Sequence, residues 1–171
     1  IMRFNATSAN KNGTLTVTAT NKNKYPVDFG IEIWKSPYIE PAVTLSSNQK
    51  EKPKFPYKNI ADYDFSSYSR TASPPKKGDT FTFTFTTPVD PESIQVWTGL
   101  SYLPRYLVTI GRVQISEAGK TYQDVAQLSY GKATIYPDGT VKAVRIICDV
   151  DGTADNAVPI QDLRIIPRKT K

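Results

Sequence analysis

The stretch Arg112 to Leu128 reads RVQISEAGKTYQDVAQL, and it sets the expectation for the whole chain. Val113 and Ile115 alternate with polar neighbours, and a second run that contains Tyr122 follows the turn at Gly119. Two alternating runs joined by a turn that contains glycine are typical of an antiparallel β-hairpin. The stretch therefore predicts two paired strands.

Short alternating runs recur along the rest of the chain, and turn signals separate them at intervals of roughly ten residues. The 13 prolines and nine glycines interrupt the sequence throughout, and helical periodicity is nearly absent. The clearest run is DTFTFTFTTP, Asp79 to Pro88, in which Phe81, Phe83 and Phe85 share one face. The other predicted strands are GTLTVTAT (13–20), YPVDFGIEIW (25–34), SIQVWTG (93–99), RYLVTI (105–110), KATIYP (132–137), TVKAVRIICDV (140–150) and PIQDLRIIP (159–167). This pattern predicts an all-β fold, an antiparallel β-sandwich or jelly roll.

The segment Ser36 to Ser73 interrupts this pattern because it has little periodicity. It carries four prolines and six aromatic residues, which is too aromatic for a disordered linker. We therefore expect an ordered, loop-rich segment, and functional residues concentrate in such segments.

The composition limits the chemistry open to the protein. With 171 residues the chain suits one domain, or one domain with an appendage. It contains no histidine, which excludes Ser-His-Asp and Cys-His catalysis and most zinc sites. Its 16 carboxylates show no spacing that singles out a pair for acid–base work. The single cysteine, Cys148, is in phase with Val144 and Ile146, which predicts a buried thiol.

The net charge and the distribution of basic residues indicate which kinds of partner the chain favours. The formal net charge is +6, but the basic residues are scattered apart from Lys76-Lys77 and the tail Arg164 to Lys171. This distribution does not favour nucleic acid, and a basic surface is equally suited to an acidic glycan. No run approaches the ~18 apolar residues of a membrane-spanning helix, so we expect no membrane span.

The hairpin RVQISEAGKTYQDVAQL resembles that of discoidin, or coagulation factor V/VIII type C, domains, whose bacterial versions are classed as family 32 carbohydrate-binding modules. Other stretches follow in the family's order: ADYDFSSY (61–68) resembles an early loop, and GDTFTFTFTTPVDPESIQVWTG (78–99) resembles the next strand pair. VKAVRIICDV and IQDLRIIP resemble the closing strands. The resemblance covers Pro41 to Pro167 and implies a discoidin-like jelly roll.

The chain departs from the family pattern at several positions. The family usually has Asp-Gly at the hairpin turn, where this chain has Ala118-Gly119, and its early loop has Gly and Thr in place of Tyr63 and Ser67. Residues 1–40 lie outside the resemblance. We expect an N-terminal β-hairpin there, either the end of a preceding domain or an added β-element, followed by the sandwich at 41–171.

The resemblance implies a non-catalytic, carbohydrate-binding accessory module of a secreted, periplasmic or cell-surface glycan-degrading enzyme. Its partners would be a tethered catalytic domain and a glycan that contains N-acetylhexosamine or galactose or is acidic. Within the family the chain is most similar to C-terminal modules of Bacteroidetes β-hexosaminidases, which carry runs like Asp64 to Thr71 and Pro74 to Asp79.

The resemblance also implies a structural calcium ion near the early loop and the last strand. The matching side chains are Asp62, Asp64, Ser67 and Asp162. Carboxylate and hydroxyl oxygens on a tight loop suit calcium, which takes six to eight oxygen ligands. The alternative is a loop tied by Asx-type hydrogen bonds without a metal.

Sugars are bound by an aromatic ring that stacks on their C–H face, with polar side chains around it for the hydroxyls. Trp97 opposes the core phase of Ile94 and Val96, so we expect it to be exposed or covered by the N-terminal hairpin. Two stretches, Tyr68-Ser69-Arg70 and WTGLSYLPRY (97–106), supply this chemistry, and their candidate residues are Tyr68, Arg70, Trp97, Tyr102, Arg105 and Tyr106. Tyr130-Gly131 is a third candidate.

The missing histidine leaves alternatives open. Family members that bind galactose-like sugars often use a histidine, so either the ligand differs or this copy has lost sugar binding. The alternative function is a structural or protein-interaction module without a sugar ligand. A catalytic domain that uses carboxylates would need a pair at about 5–10 Å in a deep cleft, which a small sandwich rarely offers.

Overall fold

The computed structural model describes residues 39–61, 67–99, 108, 110–152, 158–161 and 163–169. The chain divides into two compact units, Ile1–Lys35 and Ser36–Lys171, and all the described residues belong to the second. The expected N-terminal hairpin and most of the RYLVTI run lie outside the described residues. No helix in the described part of the chain is long and apolar enough to cross a membrane.

Ten β-strands and one short 3₁₀ helix, Tyr57–Ala61, build the described part of the second unit. The strands are β1 (Val43–Ser47), β2 (Ser69–Arg70), β3 (Thr80–Val89), β4 (Pro91–Trp97), β5 (Gly111–Ser116), β6 (Gln123–Gln127), β7 (Lys132–Ile135), β8 (Val141–Cys148), β9 (Pro159–Ile160) and β10 (Arg164–Pro167). They form a five-stranded sheet in the order β1-β3-β8-β5-β6, a three-stranded sheet β10-β4-β7 and the ribbon β2-β9. All pairings are antiparallel, which confirms the predicted all-β sandwich.

The core forms between the inner faces of the two larger sheets. The phenylalanines of β3 are fully buried, as the period of the TFTFTFT run predicts, while the threonines between them are only partly buried. Burial of one such ring contributes about 1.5–3 kcal/mol. The core residues with the largest fully buried side chains are Phe81, Phe83, Phe85, Ile60, Ile94, Ile146, Ile160 and Ile165.

The hairpin predicted from RVQISEAGKTYQDVAQL is confirmed as β5 and β6. Arg112 pairs with Gln127 in its register, and a bulge follows Val113. Gly119 has a φ of +76° in the turn, and its N–H donates to Ser116 Oγ at 2.8 Å. Glycine adopts this left-handed conformation without the steric cost that a side chain would impose.

Two features of the strand pattern differ from the sequence expectation. The segment expected to be loop-rich contains β1, an edge strand in which Val43 pairs with Phe85 of β3. The run PIQDLRIIP was expected to form one strand, and that prediction is wrong. It contains two strands, β9, which pairs with β2, and β10, which pairs with β4.

Candidate functional site

Trp97 lies on the outer face of the three-stranded sheet. Along β4, Ile94 and Val96 are fully buried in the core, whereas Gln95 and Trp97 point outward and are half-buried. This arrangement follows from the two-residue period of a strand. The structure therefore confirms that Trp97 opposes the core face.

Two cationic side chains pack against the indole ring of Trp97. The Nζ atom of Lys132 lies 4.2 Å from the ring centroid, and the guanidinium carbon of Arg164 lies 4.4 Å from it. Lys132 belongs to β7 and Arg164 to β10, and these strands flank β4 on opposite sides. The two cations therefore come from the two strands that neighbour β4, and each is attracted by the negative potential of the aromatic ring.

A shallow groove with a volume of 430 Å³ begins beside Trp97. It lies where β6, the edge of the five-stranded sheet, meets β7, the edge of the three-stranded sheet. Its lining residues are Gln95, Trp97, Ala126, Gln127, Ser129, Lys132, Ala133 and Thr134. Among the residues that the structure describes, the lining combines two amides, two hydroxyls, one aromatic ring and one ammonium group, without a carboxylate.

The other expected sugar-binding stretch lies at the β2-β9 ribbon. Tyr68 stacks on Phe55 with ring centroids 5.0 Å apart and an interplanar angle of 14°, so one face of the Tyr68 ring is covered. Arg70 lies in β2 opposite Pro159 of β9. Ile160 pairs with Ser69 and also forms a bridge to Thr98, which brings the two expected stretches to β9. Tyr102, Arg105 and Tyr106 lie outside the described residues and stay predictions.

The expected calcium ligands are mostly outside the described residues, since only Ser67 is described. Its hydroxyl donates a hydrogen bond to the carbonyl of Asn59 at 2.9 Å. The part of the chain that the structure describes contains no group of three or more acidic or cysteine side chains placed to hold a metal. The calcium site at Asp62, Asp64, Ser67 and Asp162 therefore stays a prediction.

The carboxylates on the five-stranded sheet are used in ion pairs and hydrogen bonds. Arg112 Nε contacts Asp149 Oδ1 at 2.9 Å, and Arg112 Nη1 contacts Asp124 Oδ2 at 3.2 Å. Gln114 Nε2 donates to Asp124 at 2.7 Å. The hydrogen bond from Gln114 and then that from Arg112 hold the pKa of Asp124 below its ordinary value. These contacts favour the ionised carboxylate, which is the form that accepts hydrogen bonds and not the form that acts as an acid.

The Cys148 thiol is buried, and burial keeps it in its unreactive, protonated form. Burial raises its pKa to about 12, and the negative charges of Asp79 and Asp149 act in the same direction. A thiol is a nucleophile only as the thiolate, and a raised pKa keeps it protonated at neutral pH.

The residues that sequence reasoning missed are Gln95 on the same strand as Trp97 and the neighbours that join Trp97 from other strands. Gln95 shares the outward face of β4 with Trp97, so alternation alone could have found it. Lys132 pairs directly with Trp97, and Gln95 pairs with both Thr134 and Arg164 across the sheet. Such cross-strand neighbours depend on strand pairing, for which the single sequence carries no direct signal.

The two packed antiparallel sheets define the chain as a β-sandwich. No family model and no curated protein sequence matches the chain. Among solved structures it is similar to a family 32 carbohydrate-binding module of a family 31 glycoside hydrolase from Clostridium perfringens. The TM-score is 0.60 at 14% identity, and the match covers 77% of this chain and 99% of that one.

Two further modules have the same fold. One is the family 32 module of Clostridium perfringens NanJ in complex with galactose, with a TM-score of 0.57 at 14% identity over 75% of this chain and 97% of that one. The other is chitosan-binding module 1 of a chitosanase/glucanase from Paenibacillus sp. IK-5. Its TM-score is 0.59 at 12% identity, and the match covers 75% of this chain and 97% of that one. The likeness establishes the discoidin-like fold.

Proposed function

We propose that this chain is a non-catalytic carbohydrate-binding module that serves a secreted, periplasmic or cell-surface glycan-degrading enzyme. The observation that carries the proposal is the polar groove beside Trp97 on a sandwich whose structural neighbours are named as sugar-binding modules. One neighbour is a module of a glycoside hydrolase, which supports a tethered catalytic domain as the partner.

The groove suits a pyranose ring by its chemistry. The amides of Gln95 and Gln127 each donate and accept hydrogen bonds, and the hydroxyls of Ser129 and Thr134 do the same. A sugar presents donors and acceptors around a partly apolar ring, so a groove with mixed polar groups beside an aromatic side chain complements it. The groove is shallow, and such binding is weak for one site and gains strength from the tethered enzyme.

The charge of the groove favours an acidic glycan. Lys132 is the charged residue among the described lining residues, and Arg164 packs against Trp97. The positive charge of these side chains attracts a uronic acid or sulfated sugar. The net charge of +6 adds a weaker attraction over longer range.

The test is a binding screen of the whole chain against acidic oligosaccharides, such as oligogalacturonate and chondroitin sulfate hexasaccharides, and neutral ones such as chitohexaose. We expect acidic sugars to bind and Lys132→Gln to weaken that binding by about tenfold. Lys120→Gln is the matched control, because Lys120 is also exposed but lies in the β5–β6 turn. Absence of binding to every glycan would overturn the proposed function.

A structural or protein-interaction module is the second candidate. The observation that favours it is the exposure of large side chains at Ile110 and Tyr136, at 53% and 74%. Exposed side chains of this size are available to contact another protein. This candidate would be favoured if the chain self-associates, if Tyr136→Ser abolishes the self-association, and if no glycan in the screen binds.

The calcium ion is a separate proposal within this function. Asp62, Asp64, Ser67 and Asp162 would hold it through their oxygen atoms, and its binding would stabilise the folded chain by mass action. We expect the melting temperature to fall when a chelator is added and to recover with calcium but not with magnesium. An unchanged melting temperature would exclude the site.

A further inference from the structure

The turn between β6 and β7 places a tyrosine in a backbone conformation that tyrosine rarely adopts. Tyr130 has a φ of +49° and Gly131 a φ of +73°. Two central residues with positive φ are the mark of the type I′ hairpin turn, which favours Asn-Gly, Asp-Gly and Gly-Gly. The glycine fits this preference, whereas the tyrosine is strained because its Cβ crowds the backbone in the left-handed region.

Hydrogen bonds fix this turn both within the hairpin and to Thr98. Ser129 N–H donates to the Lys132 carbonyl at 2.8 Å, and Lys132 N–H donates to the Ser129 carbonyl at 3.1 Å. The carbonyl of Gly131 accepts hydrogen bonds from the backbone N–H of Thr98 at 2.7 Å and from its hydroxyl at 3.1 Å. Thr98 is buried, so the core of the sandwich fixes the position of the turn.

The Tyr130 side chain is 83% exposed. The strained residue therefore gains no compensating burial of its ring. Ser129 and Lys132, on either side of the Tyr130–Gly131 pair, both line the groove, so Tyr130 is the chain neighbour of a lining residue. Strain that the fold maintains without a packing benefit is a feature of functional positions.

We propose that Tyr130 is the aromatic platform on which a pyranose residue of the bound glycan stacks, with the neighbouring residue of the glycan in the groove. This inference rests on the proposed carbohydrate-binding function. It reassigns the stacking role that the sequence suggested for Trp97, because Lys132 and Arg164 already pack against that indole ring, at 4.2 and 4.4 Å from its centroid. Trp97 instead forms part of the groove wall, and Tyr130 presents a ring that is open to the ligand.

The decisive variant is Tyr130→Asn, because asparagine is favoured in this turn and has no aromatic ring. We expect its melting temperature to rise while its affinity for the acidic hexasaccharide that binds the wild type falls at least about tenfold, as measured by titration calorimetry. Tyr130→Phe keeps the ring and should bind within about twofold of the wild type. Tyr136→Asn is the matched control for removal of an exposed tyrosine, and we expect it to leave affinity unchanged.

The outcomes separate this inference from the proposed function. If the wild type binds the hexasaccharides and Tyr130→Asn binds equally well, the platform role is overturned while the carbohydrate-binding function stands. If Tyr130→Asn lowers both affinity and melting temperature, the turn is a structural element and the platform role is again overturned. If the wild type binds none of the probes, the proposed function fails and the platform fails with it.

Discussion

The guanidinium carbon of Arg145 lies 3.4 Å from the centroid of the Tyr122 ring, so the arginine stacks on the aromatic residue that begins the second half of the β5–β6 hairpin. Arg145 belongs to β8, and its Nε donates to Thr82 Oγ1 of β3 at 3.3 Å. One arginine therefore links the strand on one side of β8 with the hairpin on its other side.

We expect Tyr122→Ala to destabilise the fold and leave glycan binding unchanged, since Tyr122 lies outside the groove. A cation–π contact contributes about 0.5–1 kcal/mol at an exposed site and about 2 kcal/mol when it is desolvated, and both side chains here are half-buried. The contribution is measured with a double-mutant cycle that combines Tyr122→Ala with Arg145→Met in urea unfolding. A coupling free energy near zero would contradict the stacking interaction.

The two faces of β3 should respond very differently to substitution. Phe83 is fully buried between the sheets, so Phe83→Ala removes the ring and leaves a cavity that costs about 3–5 kcal/mol. Thr84 points to the opposite face and is the matched control, with an expected loss below about 1 kcal/mol for Thr84→Ala. Chemical unfolding of both variants measures the difference, and equal losses would contradict the observed facing of the strand.

The buried carboxylate of Asp79 ties two loops together. It accepts hydrogen bonds from Asn48 Nδ2 at 3.0 Å, Gln49 Nε2 at 2.6 Å and the backbone N–H of Lys76 at 2.5 Å. Because Asp79→Ala leaves these donors without their acceptor, we expect the free energy of unfolding to fall by about 3 kcal/mol. Asp79→Asn keeps the shape and one acceptor, and it should lose less in the same unfolding measurement.

Cys148 should resist thiol reagents in the folded protein. Its side chain is 1% exposed and its pKa is raised to about 12, so neither access nor ionisation supports reaction. We expect no labelling by a disulfide reagent at about pH 8 until denaturant unfolds the chain, and complete labelling thereafter. Rapid labelling under native conditions would show that β8 opens readily.

The same thiol should make stability depend on pH in the alkaline range. The ordinary thiol pKa is 9.0, so the unfolded chain loses this proton first, while the folded chain keeps it until about 12. Between these values the free energy of unfolding falls as pH rises, by at most about 1.4 kcal/mol per pH unit. The Cys148→Ala variant should lack this contribution of the thiol to the pH dependence. Urea unfolding of the wild type and the variant, measured below and above the ordinary thiol pKa of 9.0, isolates that contribution.

Sequence patterns predicted the structural features that depend on local periodicity. The alternation in TFTFTFT predicted which face of β3 is buried, and the phase of Ile94 and Val96 predicted that Trp97 points outward. The hairpin of β5 and β6 was also predicted, because its turn and both its strands are contiguous in sequence. Each of these features is determined by a contiguous stretch of about 17 residues or fewer, in which the side-chain period and the turn residues can be read from the sequence.

Features that depend on distant pairing were not predictable in this way. β1 reads VTLSS, a short and mostly polar run whose status as a strand depends on its pairing with β3, about 40 residues later. The division of PIQDLRIIP depends on two different partners, β2 and β4. The cations around Trp97 come from β7 and β10, so only the sheet order reveals them.

The central position of β8 between β3 and β5 has a consequence for biosynthesis. β8 comprises Val141–Cys148, so the ribosome releases β1 to β7 before the strand that joins the two halves of their sheet. Until then the phenylalanine-rich β3 and the edge of β5 have no partner on one side, and unpaired strand edges recruit other chains. The nascent protein is therefore most prone to aggregation late in synthesis, and a chain that ends before Val141 would leave its sheet in two separate pieces.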